Sequence, residues 1–291
     1  MCHSLLTRTI AGILAFGGTW LAYTQNQPRH PALKLSNVKE SLYEIEGDGG
    51  NVAVYVTDEG VILVDDKFEA DHAAIVELVK GVTSRPIKYV ITTHHHDDHS
   101  AGNAGFITTA EIISTINARN NIVEHKQPGV TANMVPARVA FDKECSITLG
   151  GKEVRAIFLG RGHTNGDAVV YFPALRTIHT GDLMAGDTPH LNYTVIDYTA
   201  GGSIGEWLKT LDEVLKLNFE TVIPGHGKVT DKAGLLAYRE TLDSLRTRSA
   251  ALIRGGASQE DVQKMIATEF GWRAGGLNFK YSFPGLMQEL R

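Results

Sequence analysis

Apolar and polar positions change period several times along the chain. Leu42-Tyr-Glu-Ile-Glu46 and Asn51-Val-Ala-Val-Tyr-Val56 follow strand patterns, and Gly60-Val-Ile-Leu-Val-Asp65 comes after the turn Asp58-Glu-Gly60. These segments predict an antiparallel opening. Asp71 to Lys80 has helical spacing with an aspartate at its start, and Ile87-Lys-Tyr-Val-Ile-Thr92 returns to strand. Residues 103 to 138 are less regular and partly helical. Strands are predicted again at 145–149, 153–159, 168–172, 177–179 and 221–223, with helices over 203–217, 232–253 and 258–270. Gly255-Gly-Ala followed by Ser258 reads as a helix break and an N-cap. The second half thus begins like the first, and two mixed sheets packed face to face with helices outside would accommodate both.

At 291 residues the chain can bury a large core without disulfides. Its first residues differ from the rest: Arg8 precedes the apolar run Ile10 to Tyr23, and polar Thr24-Gln-Asn-Gln27 follows. This is the layout of a secretory signal peptide. The expectation is a leader over 1–25, a catalytic domain over 35–291 and a periplasmic or secreted location. The run is shorter than the ~20 residues that a membrane span prefers, so no stable membrane insertion is expected once the leader is removed. A net charge of -5 without a basic block gives nucleic-acid phosphates nothing to pair with, and a small-molecule partner fits better. Of the two cysteines, Cys2 and Cys145, the second lies on a predicted strand and reads as structural rather than nucleophilic.

The cluster of histidines begins where the strand 87–92 ends, at Thr93-His94-His95-His96-Asp97-Asp98-His99-Ser100. It contains the pattern His-x-His-x-Asp-His. In an extended or tightly turned loop, residues two apart can point the same way, so His94 and His96 can reach one ion while Asp98 and His99 address a second. Imidazole nitrogen with carboxylate oxygen suits zinc, and also iron or manganese. Three further strand ends carry similar donors: Gly160-Arg-Gly-His163, Thr177-Ile-His-Thr-Gly-Asp182 and Ile223-Pro-Gly-His226. Glycines beside His163 and His226 let the backbone approach other loops. Strand-end loops that each deliver His or Asp are hard to explain as ordinary turns.

With these motifs in this order, the chain closely resembles the metallo-β-lactamase superfamily from about Ser41 to Asp243, including its glyoxalase II-like members. The resemblance implies an αββα four-layer sandwich. It also implies that His94, His96 and His163 hold one metal, that Asp98, His99 and His226 hold another, and that Asp182 bridges them. Asp65 matches the family's early aspartate and would support the His94 loop from behind, with Asp66 as the neighbouring alternative. His95 is expected to point away from its neighbours, and His179 to lie out of phase with Asp182. The irregular loop with His190, Asn192, Tyr193 and Tyr198 could border the substrate.

Two Zn²⁺ ions about 3.5–4 Å apart would share a water and lower its pKa toward ~7, supplying hydroxide for attack on a carbonyl carbon. Asp98 would bind metal and orient the nucleophile. The family covers β-lactams, lactones, esters and thioesters, and fold does not choose among them. Asp182, where one β-lactamase subclass places a thiolate, argues against that subclass, whereas the leader argues for β-lactamase. A mono-iron sulfur dioxygenase of the same fold is the alternative from a different class.

Overall fold

The computed structural model describes residues 32–124, 127, 134–186 and 190–291. The leader expected over 1–25 lies outside the described residues. The first sheet holds, in spatial and chain order, β1 (Lys34–Lys39), β2 (Leu42–Glu46), β3 (Val52–Val56), β4 (Val61–Val64), β5 (Ile87–Ile91), β6 (Glu111–Thr115) and β7 (Val139–Phe141). Its first four strands are antiparallel and the rest join in parallel. Parallel neighbours need crossovers: α1 (His72–Lys80) links β4 to β5, α2 (Asp97–Ser100) and α3 (Asn103–Phe106) lead into β6, and α4 (Ile116–Val123) follows it.

The second sheet runs β8 (Glu144–Leu149), β9 (Lys152–Ile157), β10 (Val169–Phe172), β11 (Thr177–His179), β12 (Thr221–Ile223) and β13 (Thr230–Asp231). Within it, only the pairing of β11 with β12 is parallel, and α5 (Ile204–Val214) is its crossover. Then come α6 (Lys232–Arg254), α7 (Gln259–Phe270), a π-turn at Asn278–Ser282 and α8 (Phe283–Glu289). Ser258 caps α7 in a reciprocal box with Asp261.

The layers follow from which side of each strand is apolar. On β3 and β4, Ala53, Tyr55, Ile62 and Val64 face the second sheet, where they meet Val154, Ala156, Val170 and Phe172. The alternate residues Val52, Val54, Val61 and Leu63 face Ile75 and Val79 of α1. Both faces are buried, so these strands read as continuous apolar runs. The outer face of the second sheet carries Val169, Ile178 and Val222 against Trp207 and Leu211 of α5 and Leu235 and Leu242 of α6. The result is the αββα sandwich, with residues 33–291 as one compact unit. Among the described residues, no helix is long and apolar enough to cross a membrane.

The middle segment departs from expectation. It contains the parallel strand β6, whose Ile112, Ile113, Ser114 and Thr115 are all buried. A short strand that buries hydroxyl and alkyl side chains on both faces gives no period to detect. Cys145 sits partly buried on β8 against the inter-sheet core, as its structural reading required.

Candidate metal centre

The donors gather where β4, β5, β11 and β12 end, at the same edge of the sandwich. Val64 pairs with Ile91 across the parallel β4–β5 ladder, and the chain then turns away on both strands. Asp65 leaves β4 in a left-handed conformation, φ 62°. There its buried carboxylate accepts from Thr93 N at 2.7 Å, Thr93 Oγ1 at 2.8 Å and His99 Nδ1 at 2.8 Å. It therefore ties the residue before His94 to His99 from behind the cluster. Asp66 is also buried but turns the other way, under Gly102, and its carboxylate has no hydrogen-bond partner among the described residues. Burial and the neighbouring Asp65 hold it well above the usual carboxylate range.

Each of four histidines spends one ring nitrogen on a partner outside the cluster. Thr93 Oγ1 gives its proton to Asp65, so at 3.1 Å it can accept from His94 Nδ1. His96 Nε2 donates to Asp197 Oδ2 at 2.9 Å, His99 Nδ1 to Asp65, and His163 Nδ1 to the Val195 carbonyl at 2.6 Å. The opposite nitrogens then keep lone pairs, and these converge. His96 Nδ1 lies 2.9 Å from His163 Nε2, and His99 Nε2 lies 3.3 Å from His226 Nε2. His94 Nε2 is buried with no hydrogen-bond partner among the described residues.

The carboxylates complete two overlapping groups. His94, His96 and His163 offer donor atoms within 4.8 Å of one another, and so do Asp98, His99 and His226. Asp182 lies between them, 3.7 Å from His163 Nε2 and 3.1 Å from His99 Nε2. Asp98 Oδ2 is 3.2 Å from His226 Nε2. Close approach is needed here: a Cβ on Gly50 would meet the His99 ring, and one on Gly225 would meet Asp182 Oδ1.

This donor set fits a divalent metal. Tetrahedral nitrogen donors at ~2.0–2.1 Å from an ion stand roughly 3.3 Å apart, close to the spacings between the lone-pair nitrogens. An orphaned imidazole nitrogen at zero cost is otherwise hard to maintain in a buried setting. Burial, then the neighbouring histidines, keep His94 well below its ordinary pKa and bring His163 down to about 4. Both are therefore neutral ligating forms. On the other side, burial opposes charge on His99 and His226, yet Asp182 and Asp98 raise both, His226 to about 9. Burial likewise opposes charge on Asp98 and Asp182, but His99 and His226 hold both carboxylates low. That side draws positive charge, which a metal ion supplies as it displaces the protons.

The structure thus brings all seven expected donors together. His179 turns aside, its Nε2 donating to the Asn51 carbonyl at 3.0 Å. His95 belongs to neither of those two donor groups. It is buried behind His96, ring centroids 4.6 Å apart, with Nε2 3.7 Å from Asp197. The cavity over the centre measures about 790 Å³, and its walls include Phe68, Gln127, Asn192 and Tyr193. Tyr193 stacks on His226 at 5.9 Å. The other two residues expected in that loop are not on the wall: Tyr198 donates its hydroxyl to Glu289 at 2.7 Å, and His190 rests against Gly271.

Asp197 is the residue that sequence reading missed. It aligns His96 across 101 positions of chain and also caps the turn at Thr199 and Ala200. Burial opposes its ionisation, but the hydrogen bond from His96 holds the carboxyl below its usual range. An aspartate two residues before a threonine is a turn-cap signal, and that was its only trace in the sequence.

Fold and centre together define a metal-dependent hydrolase. Residues 45–226 match the family model of the metallo-beta-lactamase superfamily, and the chain belongs to that superfamily. Metallo-beta-lactamase IND-1 of Chryseobacterium indologenes is 29% identical over 180 residues, covering 60% of this chain and 71% of that protein. A type 2 metallo-beta-lactamase of Elizabethkingia meningoseptica is 25% identical over 245 residues, 79% of this chain and 91% of its own. Among solved structures, the metallo-beta-lactamase from Pontibacter korlensis matches with TM-score 0.64 and 19% identity over 72% of this chain and 99% of that one. DIM-1 metallo-beta-lactamase matches with TM-score 0.62 and 22% identity over 74% and 99%. At these identities the structural likeness speaks for the fold.

Proposed function

We propose that the chain is a dinuclear zinc hydrolase of a carbonyl substrate: a β-lactam, lactone, ester or thioester. The observation that carries this reading is the convergence of bare ring nitrogens, those of His94, His96, His99 and His163 fixed by a hydrogen bond on the far side of the ring, around a carboxylate placed between two donor groups. His94, His96 and His163 would hold one ion, Asp98, His99 and His226 the other, and Asp182 both. Bound there, the metals supply Lewis acidity and a water acidic enough to attack at neutral pH.

The remaining work falls to side chains of this chain. Asp98, at the cavity edge of its group, orients the attacking oxygen and accepts its proton. Asp65, Asp197 and the Val195 carbonyl hold the imidazole tautomers, so the centre needs no rearrangement when substrate enters. Asn192 and Tyr193 face the same cavity and are placed to position the carbonyl compound. The names of the relatives support β-lactam as one member of the substrate class, and they favour hydrolysis over the iron dioxygenase alternative. The catalytic domain is taken as 35–291, and the leader pattern over 1–25 supports export to the periplasm or medium.

The test is turnover by zinc-loaded protein of a panel holding a chromogenic cephalosporin, an acyl-homoserine lactone, a glutathione thioester and an activated ester. At least one is expected to be hydrolysed, with activity abolished by a chelator and restored by zinc. No hydrolysis of any member by fully loaded protein would overturn the reading.

A further inference from the structure

The turn that leaves β4 directs two side chains around the centre. Asp65 and Lys67 both hold left-handed backbone, φ 62° and 58°, a conformation that residues with a Cβ rarely keep unless their surroundings enforce it. Asp65 thereby reaches Thr93 and His99. Lys67 turns instead toward the β2–β3 hairpin, and its side chain is wholly buried. A buried cation is costly unless its protons are engaged. Its ammonium donates to the backbone carbonyls of Gly50 at 2.6 Å and Asp48 at 3.1 Å. Burial pulls its pKa down from 10.5 to about 8, against Asp71, Asp98, Asp48 and Glu44, so the ammonium form prevails at neutral pH.

What Lys67 holds is a tip with little stiffness of its own. Gly47-Asp48-Gly49-Gly50 leads from β2 toward β3, with φ 142° at Gly47 and 74° at Gly49, and glycines lose the most freedom when fixed. Gly47, Asp48 and Gly49 line the cavity over the centre. From this tip Gly50 N donates to Asp98 O at 2.9 Å, and a Cβ on Gly49 would stand 3.1 Å from that same oxygen. The turn itself is fixed to the same ligand loop: Asp66 N donates to His99 O and Gly102 N to Lys67 O, each at 3.0 Å. Lys67 therefore links the tip to the segment that carries Asp98 and His99. His94, His96 and His163 are steadied elsewhere, by Thr93, Asp197 and the Val195 carbonyl.

We propose that Lys67 is a positioning residue for the ion held by Asp98, His99 and His226: its ammonium pins the hairpin tip onto the Asp98 backbone and so sets the affinity of that site apart from the other. The proposal rests on the two-metal reading above. Position and charge act in opposite directions here. A cation beside the site repels a second cation, so loss of the charge alone would tighten zinc, whereas loss of the pin loosens it.

The test measures zinc affinities of wild type, K67M and G49A by competition with a chromogenic chelator, and repeats them in a His226→Ala background that keeps the His94, His96 and His163 group intact. K67M removes the donors at similar length. G49A leaves Lys67 in place and crowds the tip off Asp98. Both are expected to bind the second ion about ten-fold more weakly than wild type and to leave the single ion of the His226→Ala background unchanged. General loosening of the fold would weaken both ions together. A K67M protein that binds both ions as wild type does, binds the second more tightly, or loses affinity at both sites alike overturns the proposal. Should K67M not fold, G49A decides: selective weakening upholds the tip's hold on Asp98, and wild-type affinity overturns it. A wild type that takes up only one ion sinks the two-metal reading as well, so the two failures are told apart.

Discussion

At the scale of single residues, the centre depends on which nitrogen each histidine keeps bare, and that choice is made by neighbours that touch no other donor. Asp65 and Asp197 illustrate it from opposite sides of the cluster. Glu44 on β2, also a buried carboxylate, shows what happens without such a partner. Its Oε1 has no hydrogen-bond partner among the described residues. Burial, then Glu46, raise its pKa from 4.5 to about 7 against the pull of Lys67 and Lys34. Between those values the folded protein retains a proton that the unfolded chain has released. The stability this group contributes is therefore complete below the unfolded value and is lost as pH rises through about 7, by at most about 3 kcal/mol. Glu44→Gln removes the titration, so in urea unfolding the variant gains on wild type by about 1–3 kcal/mol more at pH 8 than at pH 5. An equal difference at both pH values would count against this account. The donors themselves were legible because His-x-His-x-Asp-His and three glycine-flanked strand ends are local patterns. Asp197 was not, because its role exists only once a loop remote in sequence folds over His96.

Among the elements, the loop 190–197 and the π-turn after α7 act as one unit. The buried Asn278 amide donates to the carbonyls of Asn192 at 3.2 Å and Thr194 at 2.6 Å in that loop, and removing it takes that donor from both. Asn278→Ala should lower stability by about 1–3 kcal/mol. It should also speed amide hydrogen exchange at residues 191–197 more than in β3 or β4, where opening requires disruption of the core. Exchange unchanged in the loop would show that it is held by other contacts. The antiparallel opening, α1, β5 and the three long helices were readable from period and caps. Strand β1, the parallel strand β6 and the C-terminal turn were not. β6 lacks alternation, and the turn is defined by long-range hydrogen bonds, donated by Asn278 Nδ2 and accepted by Ser282 Oγ, rather than by any spacing of its own.

For the whole molecule, the sandwich explains why donors separated by more than a hundred residues meet. Two sheets packed through Tyr55 and Phe172, with ring centroids 5.2 Å apart, bring the ends of β4 and β5 to the ends of β11 and β12. Crossover connections leave those ends open, where α/β folds place ligands. The family model matches residues 45–226 of this frame, and residues between 273 and 281 line the cavity beyond that match. The central claim is that the frame holds two metal sites rather than one. Elemental analysis after equilibration with zinc and removal of free metal tests it directly. About two zinc ions per chain are predicted, falling to about one or fewer in Asp182→Ala, because that carboxylate serves both groups. A wild-type protein that saturates at one ion, or that retains iron and takes up no zinc, would contradict the account.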